Sequence, residues 1–222
     1  MKNIIVLFIL LAVVSASYCQ AFNYPVIQPR GKSINDFIPS NWILKDSSVG
    51  DLNGDHIKDM ALVIQCKDTV NEFRPDSSFH KAKPVVLLIF FKNSSGLFHL
   101  VLQNNTVILR SGEGGWDDDP YRKLDISKQI LSITFDVNRG FSTYKFKYQN
   151  ENFFLIGAID EITGHGETSH TEVNFLTRKE NDEWSNGEHV ITKWRTILPG
   201  KLVKLKDLKM PGQIEIQPGY YL

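Results

Sequence analysis

What most constrains this chain is that its apolar residues come in short runs rather than in helical stripes. Residues 60–66, 85–91, 97–102, 130–135, 144–148 and 153–159 are each of strand length and rich in β-branched and aromatic side chains. Between them stand turn formers: Lys92-Asn93-Ser94-Ser95-Gly96, Asn138-Arg139-Gly140 and Gln149-Asn150-Glu151-Asn152. Each is short enough to join antiparallel neighbours. The pattern predicts a mainly β fold, a single domain in which an antiparallel meander forms a sandwich or a partly closed barrel, with little helix. Residues 125–129 and 204–209 are each expected to manage one helical turn at most.

Alternation within the runs says which faces are buried. Tyr144, Phe146 and Tyr148 alternate with Lys145 and Lys147, so one face of that strand is apolar and the other wet. Residues 85–91 show no alternation, which predicts a central strand covered on both sides and hence packed layers.

The first residues bear on compartment. Lys2 gives a positive start, residues 4–14 are an unbroken apolar run, and the small residues Ser15, Ala16 and Ser17 follow. This is the layout of a secretory signal peptide, and the run is shorter than the ~20 residues a membrane-spanning helix needs. Residues 1–19 are therefore expected to be removed, leaving residues 20–222 as a secreted or periplasmic β-rich domain without a transmembrane segment. The alternative is a lipid anchor on Cys19, although Tyr18 stands where a small residue is usual. Beyond Cys19 the chain has one cysteine, Cys66, so an internal disulfide is excluded. Cys66 lies in an apolar run and reads as a small buried hydrophobe. A formal net charge of zero offers no general attraction to nucleic acid or to an anionic membrane.

The chemistry concentrates in Gly50-Asp51-Leu52-Asn53-Gly54-Asp55-His56-Ile57-Lys58-Asp59. Oxygen-bearing side chains recur there at every second position for three places and again four residues later. A hard cation explains that spacing: calcium takes six to eight oxygens, and a tight loop can offer Asp51, Asn53 and Asp55 together with the carbonyl of Ile57 and the carboxylate of Asp59. The competing reading is a solvated turn, for which Asn53-Gly54 would suffice.

With Met60, Ala61, Leu62 and Val63 added, this stretch resembles the calcium motif of FG-GAP and VCBS-type repeats, as in integrin α-subunit propellers. The resemblance implies Asp51, Asn53, Asp55 and Asp59 as side-chain ligands of a structural Ca2+ and Ile57 as a backbone ligand. His56 stands where that motif usually has glycine, because the place favours a left-handed backbone. Leu62 occupies the place of the glutamate that an EF-hand would require. A propeller repeats such a loop in every blade, whereas this chain has one. The wider order of strand, loop, aromatic strand and Asn174-Phe175-Leu176-Thr177 is similar to small exported bacterial proteins with one such loop near the mature start.

Other constellations carry less. His165 and His170, with Glu167 and Glu172, offer zinc-type donors, but a separation of five fits neither one helix face nor one strand face; a solvated loop is expected there. Glu113, Trp116, Asp117, Asp118 and Asp119 form an acidic, glycine-rich segment within residues 110–122 that reads as a ligand-contact loop. No Gly-x-Ser-x-Gly nucleophile elbow and no phosphate-binding glycine loop with lysine occurs. The expected function is therefore an exported, non-catalytic, calcium-binding module that contacts an unknown protein or glycan through the loops at 110–122 and 164–172. An inhibitor or immunity protein against a secreted enzyme or toxin is the first alternative. A hydrolase using the acidic loop 113–119 is the second.

Overall fold

The computed structural model describes residues 22–115, 118–217 and 220–221. Residues 1–19, expected to be a signal peptide, and Cys19, the alternative anchor position, lie outside the described residues, as do Trp116 and Asp117.

The chain is an antiparallel β protein that includes a half-barrel. In chain order the strands are β1 (Arg30–Gly31), β2 (Trp42–Gly50), β3 (Asp59–Cys66), β4 (Val70–Phe73), β5 (Phe79–Ala82), β6 (Val85–Lys92) and β7 (Phe98–Asn104). After the acidic segment come β8 (Tyr121–Ser127), β9 (Ile130–Val137), β10 (Gly140–Gln149), β11 (Asn152–Gly164), β12 (Glu167–Asn174), β13 (Lys179–Ser185) and β14 (Val190–Thr196). The short strands β15 (Glu215–Gln217) and β16 (Tyr220–Tyr221) complete the set. Five strands form one sheet in the order β1-β7-β6-β3-β2, and seven form a meander in the order β14-β13-β12-β11-β10-β9-β8. The six apolar runs read from the sequence fall on strands, with Leu97 standing one residue ahead of β7.

The unalternating runs sit in the middle of the five-stranded sheet and are dry on both sides. Ala61, Val63, Val85, Leu87 and Ile89 face the seven-stranded sheet, where Leu131, Ile133, Phe135, Phe146 and Leu155 meet them. Met60, Leu62, Ile64, Val86, Leu88 and Phe90 face the other way, into a second core roofed by Ile27, Phe37 and Trp42. Phe37 comes from a single 3-10 turn, Ile34–Phe37, which sets its ring 4.0 Å from that of Phe90. Each such side chain contributes roughly 1.5–3 kcal/mol by leaving water, so a chain without disulfides has two cores to stand on. Cys66 is buried in the second.

The two sheets meet at a corner where β2 and β8 are joined by side chains instead of a backbone ladder. Asp46 Oδ2 accepts from the amide of Leu124 at 2.9 Å and from the Tyr121 hydroxyl at 2.7 Å, and Ser48 Oγ accepts from the amide of Ile126 at 2.9 Å. Gly50 allows the close approach, since a Cβ there would stand 2.5 Å from Ile126 Cγ2.

Two expectations are corrected. Residues 125–129 are not helical: Asp125 to Ser127 belong to β8, and Lys128 and Gln129, both with positive φ (50° and 63°), make the tight turn to β9. Two successive positive φ values give the hairpin turn whose twist matches the flanking strands, and strand pairing imposes it here on residues that do not favour it. The segment 164–172 is likewise not a loop. Gly164 ends β11, His165 and Gly166 are a two-residue turn, and residues 167–172 belong to β12, which is paired along its length with β11. The turn near 204–209 is present, with the amides of Asp207 and Leu208 bonded to the carbonyl of Lys204.

Candidate functional site

The loop between β2 and β3 is built from the register of those strands. Gly50 pairs with Asp59 at the end of the ladder, so the intervening residues must fold back within a few ångströms. Each oxygen-bearing side chain is used to do so. Asp51 Oδ1 accepts from the amide of Gly54 at 2.7 Å and its Oδ2 from the amide of His56 at 3.1 Å. Asn53 Oδ1 takes the amide of Asp55 at 2.9 Å, and Asp55 Oδ1 takes that of Ile57 at 2.8 Å. Gly54 and His56 have φ of 84° and 66°. Histidine thus occupies the left-handed region that the resemblance assigns to this place, at the steric cost a Cβ brings there.

Asp59 anchors the loop from below. It is fully buried, with Oδ2 accepting from the amide of Leu52 at 2.9 Å and Oδ1 from the amide of Lys92 at 3.0 Å. Burial pushes its carboxyl above the ordinary carboxylate range, the charge of Asp55 adds to the rise, and the two amide bonds oppose it. Leu52, also buried, plugs the loop into the inter-sheet core.

The side chains expected as ligands are oxygen donors, the class that a hard cation takes. An ionised carboxylate offers about four lone-pair sites, and the bonds above leave each carboxylate of Asp51, Asp55 and Asp59 with acceptor capacity to spare. Among the described residues, no three His, Cys, Asp or Glu side chains stand together as a group that could hold a metal ion. The expected set contains three carboxylates, Asp51, Asp55 and Asp59, beside the amide oxygen of Asn53 and the carbonyl of Ile57, and in this structure those three do not stand together as such a group.

The acidic segment is held differently from a surface loop. Glu113 is buried, its Oε1 and Oε2 accepting from Arg74 Nε at 2.6 Å and Nη2 at 3.1 Å. Its Oε2 also accepts from the backbone amide of Arg110 at 2.7 Å. Asp119 is ion-paired to Lys45, while Asp118 is exposed. The segment thus presents fewer free carboxylates than its composition suggests.

Glu113 belongs to a cluster that the linear sequence does not disclose. Arg74 and Arg110, both fully buried, meet Glu72 and Glu113 from strand β4 and from the segment after β7. Tyr24 closes the cluster, donating to Glu72 and accepting from Arg110 Nη2 at 2.9 Å. Burial pushes the Tyr24 hydroxyl up to about 12, with the charge of Arg110 opposing. Two cations and two anions balance, and main-chain carbonyls of Asn105, Thr106 and Ile108 accept further guanidinium protons. Enclosed in this way, the cluster has no face for a substrate; it rivets the N-terminal segment, the β4–β5 hairpin and residues 104–113 together.

Of the two histidines, His165 sits in the turn and His170 on β12, with Nδ1 3.7 Å from Glu161 of the neighbouring strand. The structure does not bring them together. A feature absent from the sequence reading is a groove of about 720 Å³ over β12, β13 and β14, where Trp184, Ile191 and Lys193 stand side by side.

No family model, no curated protein and no solved structure matches this chain.

Proposed function

We propose that the chain is an exported, non-catalytic β domain that binds calcium through Asp51, Asn53, Asp55, Asp59 and the carbonyl of Ile57, and that it serves as an interaction module. The observation carrying this reading is the β2–β3 loop. Its side chains stand at calcium-motif spacing, His56 accepts a left-handed backbone where that motif needs one, and the carboxylates of Asp55 and Asp59 are close enough for one charge to oppose the other. A bound cation would neutralise that repulsion. Its contribution would be stability, through the segment that enters the central strand β3. The engagement of Glu113 by Arg74 and of Asp119 by Lys45 supports a non-catalytic reading over a hydrolase at 113–119. Among the described residues no helix is long and apolar enough to cross a membrane.

The test is a thermal melt in EDTA and in millimolar calcium, with Asp55→Ala beside the wild type. A calcium-dependent rise confined to the wild type is expected, worth about 2.7 kcal/mol at a hundredfold excess over Kd. An unchanged wild-type melt would reduce residues 51–59 to a turn and end the calcium reading.

A further inference from the structure

The two large sheets have four edges, and three are closed. At β7 the edge is covered by the N-terminal segment, with β1 paired to it, the amide of Leu100 bonded to Pro29 O at 2.9 Å and Gln103 Nε2 to Pro25 O at 3.1 Å. β2 and β8 close each other at the corner described above. The fourth edge is β14, which pairs with β13 on one side and with no strand on the other among the described residues. Every residue from Val190 to Thr196 is exposed. Its pairing with β13 runs without a bulge, and it contains neither proline nor glycine. Proteins commonly blunt an open edge with such devices; here a lysine and an arginine are the only ones present, amid exposed Val190, Ile191 and Trp194.

We propose that β14 is a receptor edge for an extended segment of a partner protein, which joins the seven-stranded sheet as an added strand and sets apolar and acidic side chains alternately along the groove beside it. This rests on the reading of the chain as an interaction domain and is independent of its calcium site. Strand registers decide which side chains face the groove. Ile191 pairs with Trp184 and Trp184 with Ser169; Lys193 pairs with Asp182 and Asp182 with Thr171. These rows continue the face on which Val173 and Ala158 are buried in the core, so the inner surface of the sheet runs on past the core and is left open there. Backbone bonds to the edge would supply affinity, and alternate side chains specificity.

Charge selects the occupant. Arg195 is already paired with Glu180 and Asp182, whereas Lys193 has no ion-pair partner among the described residues. An acidic residue opposite Lys193 and an apolar one opposite Ile191 and Trp184 match the rows. A second copy of the chain matches poorly: full antiparallel overlap of two β14 strands sets Lys193 on its own counterpart and Ile191 on Arg195, and like charges facing across strands are destabilising.

The test uses the full chain and a short fluorescein-labelled peptide of Val-Thr-Glu-Thr repeats, in which valine and glutamate alternate along one face of the strand, read by anisotropy. Saturable binding is expected, about tenfold weaker for the exposed-site variant Lys193→Glu, compared at a temperature below the melt of both proteins because the new glutamate faces Asp182. Two further peptides, N-methylated at odd or at even positions, distinguish strand addition from loose charge attraction, because only one set of amides faces β14. One should lose binding and the other keep it. Equal behaviour of the two, or equal binding by Lys193→Glu, overturns the proposal, as does a chain that sediments as a dimer and takes no peptide. Measuring in EDTA and in calcium keeps the readings apart: peptide binding without a calcium response sinks only the calcium reading, and the reverse sinks only this one.

Discussion

Arg110 grips Glu72 with two parallel hydrogen bonds, Nε to Oε2 and Nη2 to Oε1, each 3.1 Å, inside the protein. The pair joins residues 38 apart in the chain. Removing the cation leaves Glu72 with Arg74 Nη1 at 3.3 Å and with Tyr24, too little to neutralise the cluster. Breaking one partner of a buried pair costs about 3–5 kcal/mol. Arg110→Met is therefore expected to lower the unfolding free energy in a urea titration by that amount, and with it the midpoint, and Arg110→Met with Glu72→Gln to recover part of it. If the single variant unfolds at the wild-type midpoint, the cluster is not what holds the N-terminal segment in place.

The same cluster sets two limits on pH. Burial acts to raise the Glu72 carboxyl, but the charge and bonds of Arg110, the Tyr24 hydroxyl and the charge of Arg74 together hold it below the ordinary range. A carboxyl lowered by folding contributes stability in full above its unfolded value, ~4.3, and loses it as pH falls through the folded value. Tyr24 has the opposite sign: raised to about 12, it contributes in full below its unfolded value, ~10, and loses that contribution as pH rises through the folded value. Denaturant midpoints measured across pH should fall on both sides. Glu72→Gln should flatten the acid limb and Tyr24→Phe the alkaline one.

How much of this could be read beforehand depended on which residues carried contrast. Strands β3, β6, β9, β10 and β11 have at least one apolar face against a core, and their runs are visible as such. β12, β13 and β14 extend the sheet beyond the core, so both their faces carry polar residues and no alternation marks them; Thr171, Asp182 and Lys193 share a row, yet nothing in their spacing says so. The turn at Lys128 and Gln129 was equally silent, because neither residue favours positive φ. In the β2–β3 loop the expected ligand positions lie within one short stretch, and their spacing alone suggested a common task. Glu113 is the contrary case. Beside Asp117, Asp118 and Asp119 it reads as a surface acid, and only the fold brings Arg74 to it from 39 residues away.

A last prediction concerns the β9–β10 hairpin turn, which lies at the open end of the long β10–β11 ladder. Gly140 opens β10 directly after Arg139, whose φ is 66°, and pairs with Ile162. A Cβ at Gly140 would fall 1.6 Å from the carbonyl oxygen of Glu161 and 2.6 Å from its carbon. These are backbone atoms, so no rotamer change relieves the clash; the two strands would have to part. Overpacking in tight structure costs typically 1–3 kcal/mol, and more where backbone must move. Gly140→Ala is expected to lose at least that much in a denaturant titration and to raise amide exchange along the end of β11 near Glu161 and Thr163, whose amide bonds to Arg139 O at 2.7 Å. Gly166→Ala is the control at the other hairpin turn: nothing lies within 4 Å of its added Cβ, and its cost should be limited to that of the left-handed backbone, about 1–2 kcal/mol. Gly140 does not lie in the left-handed region, so a loss no larger than that of Gly166→Ala would show that the strands part at little cost and that the contact with Glu161 does not require glycine at position 140.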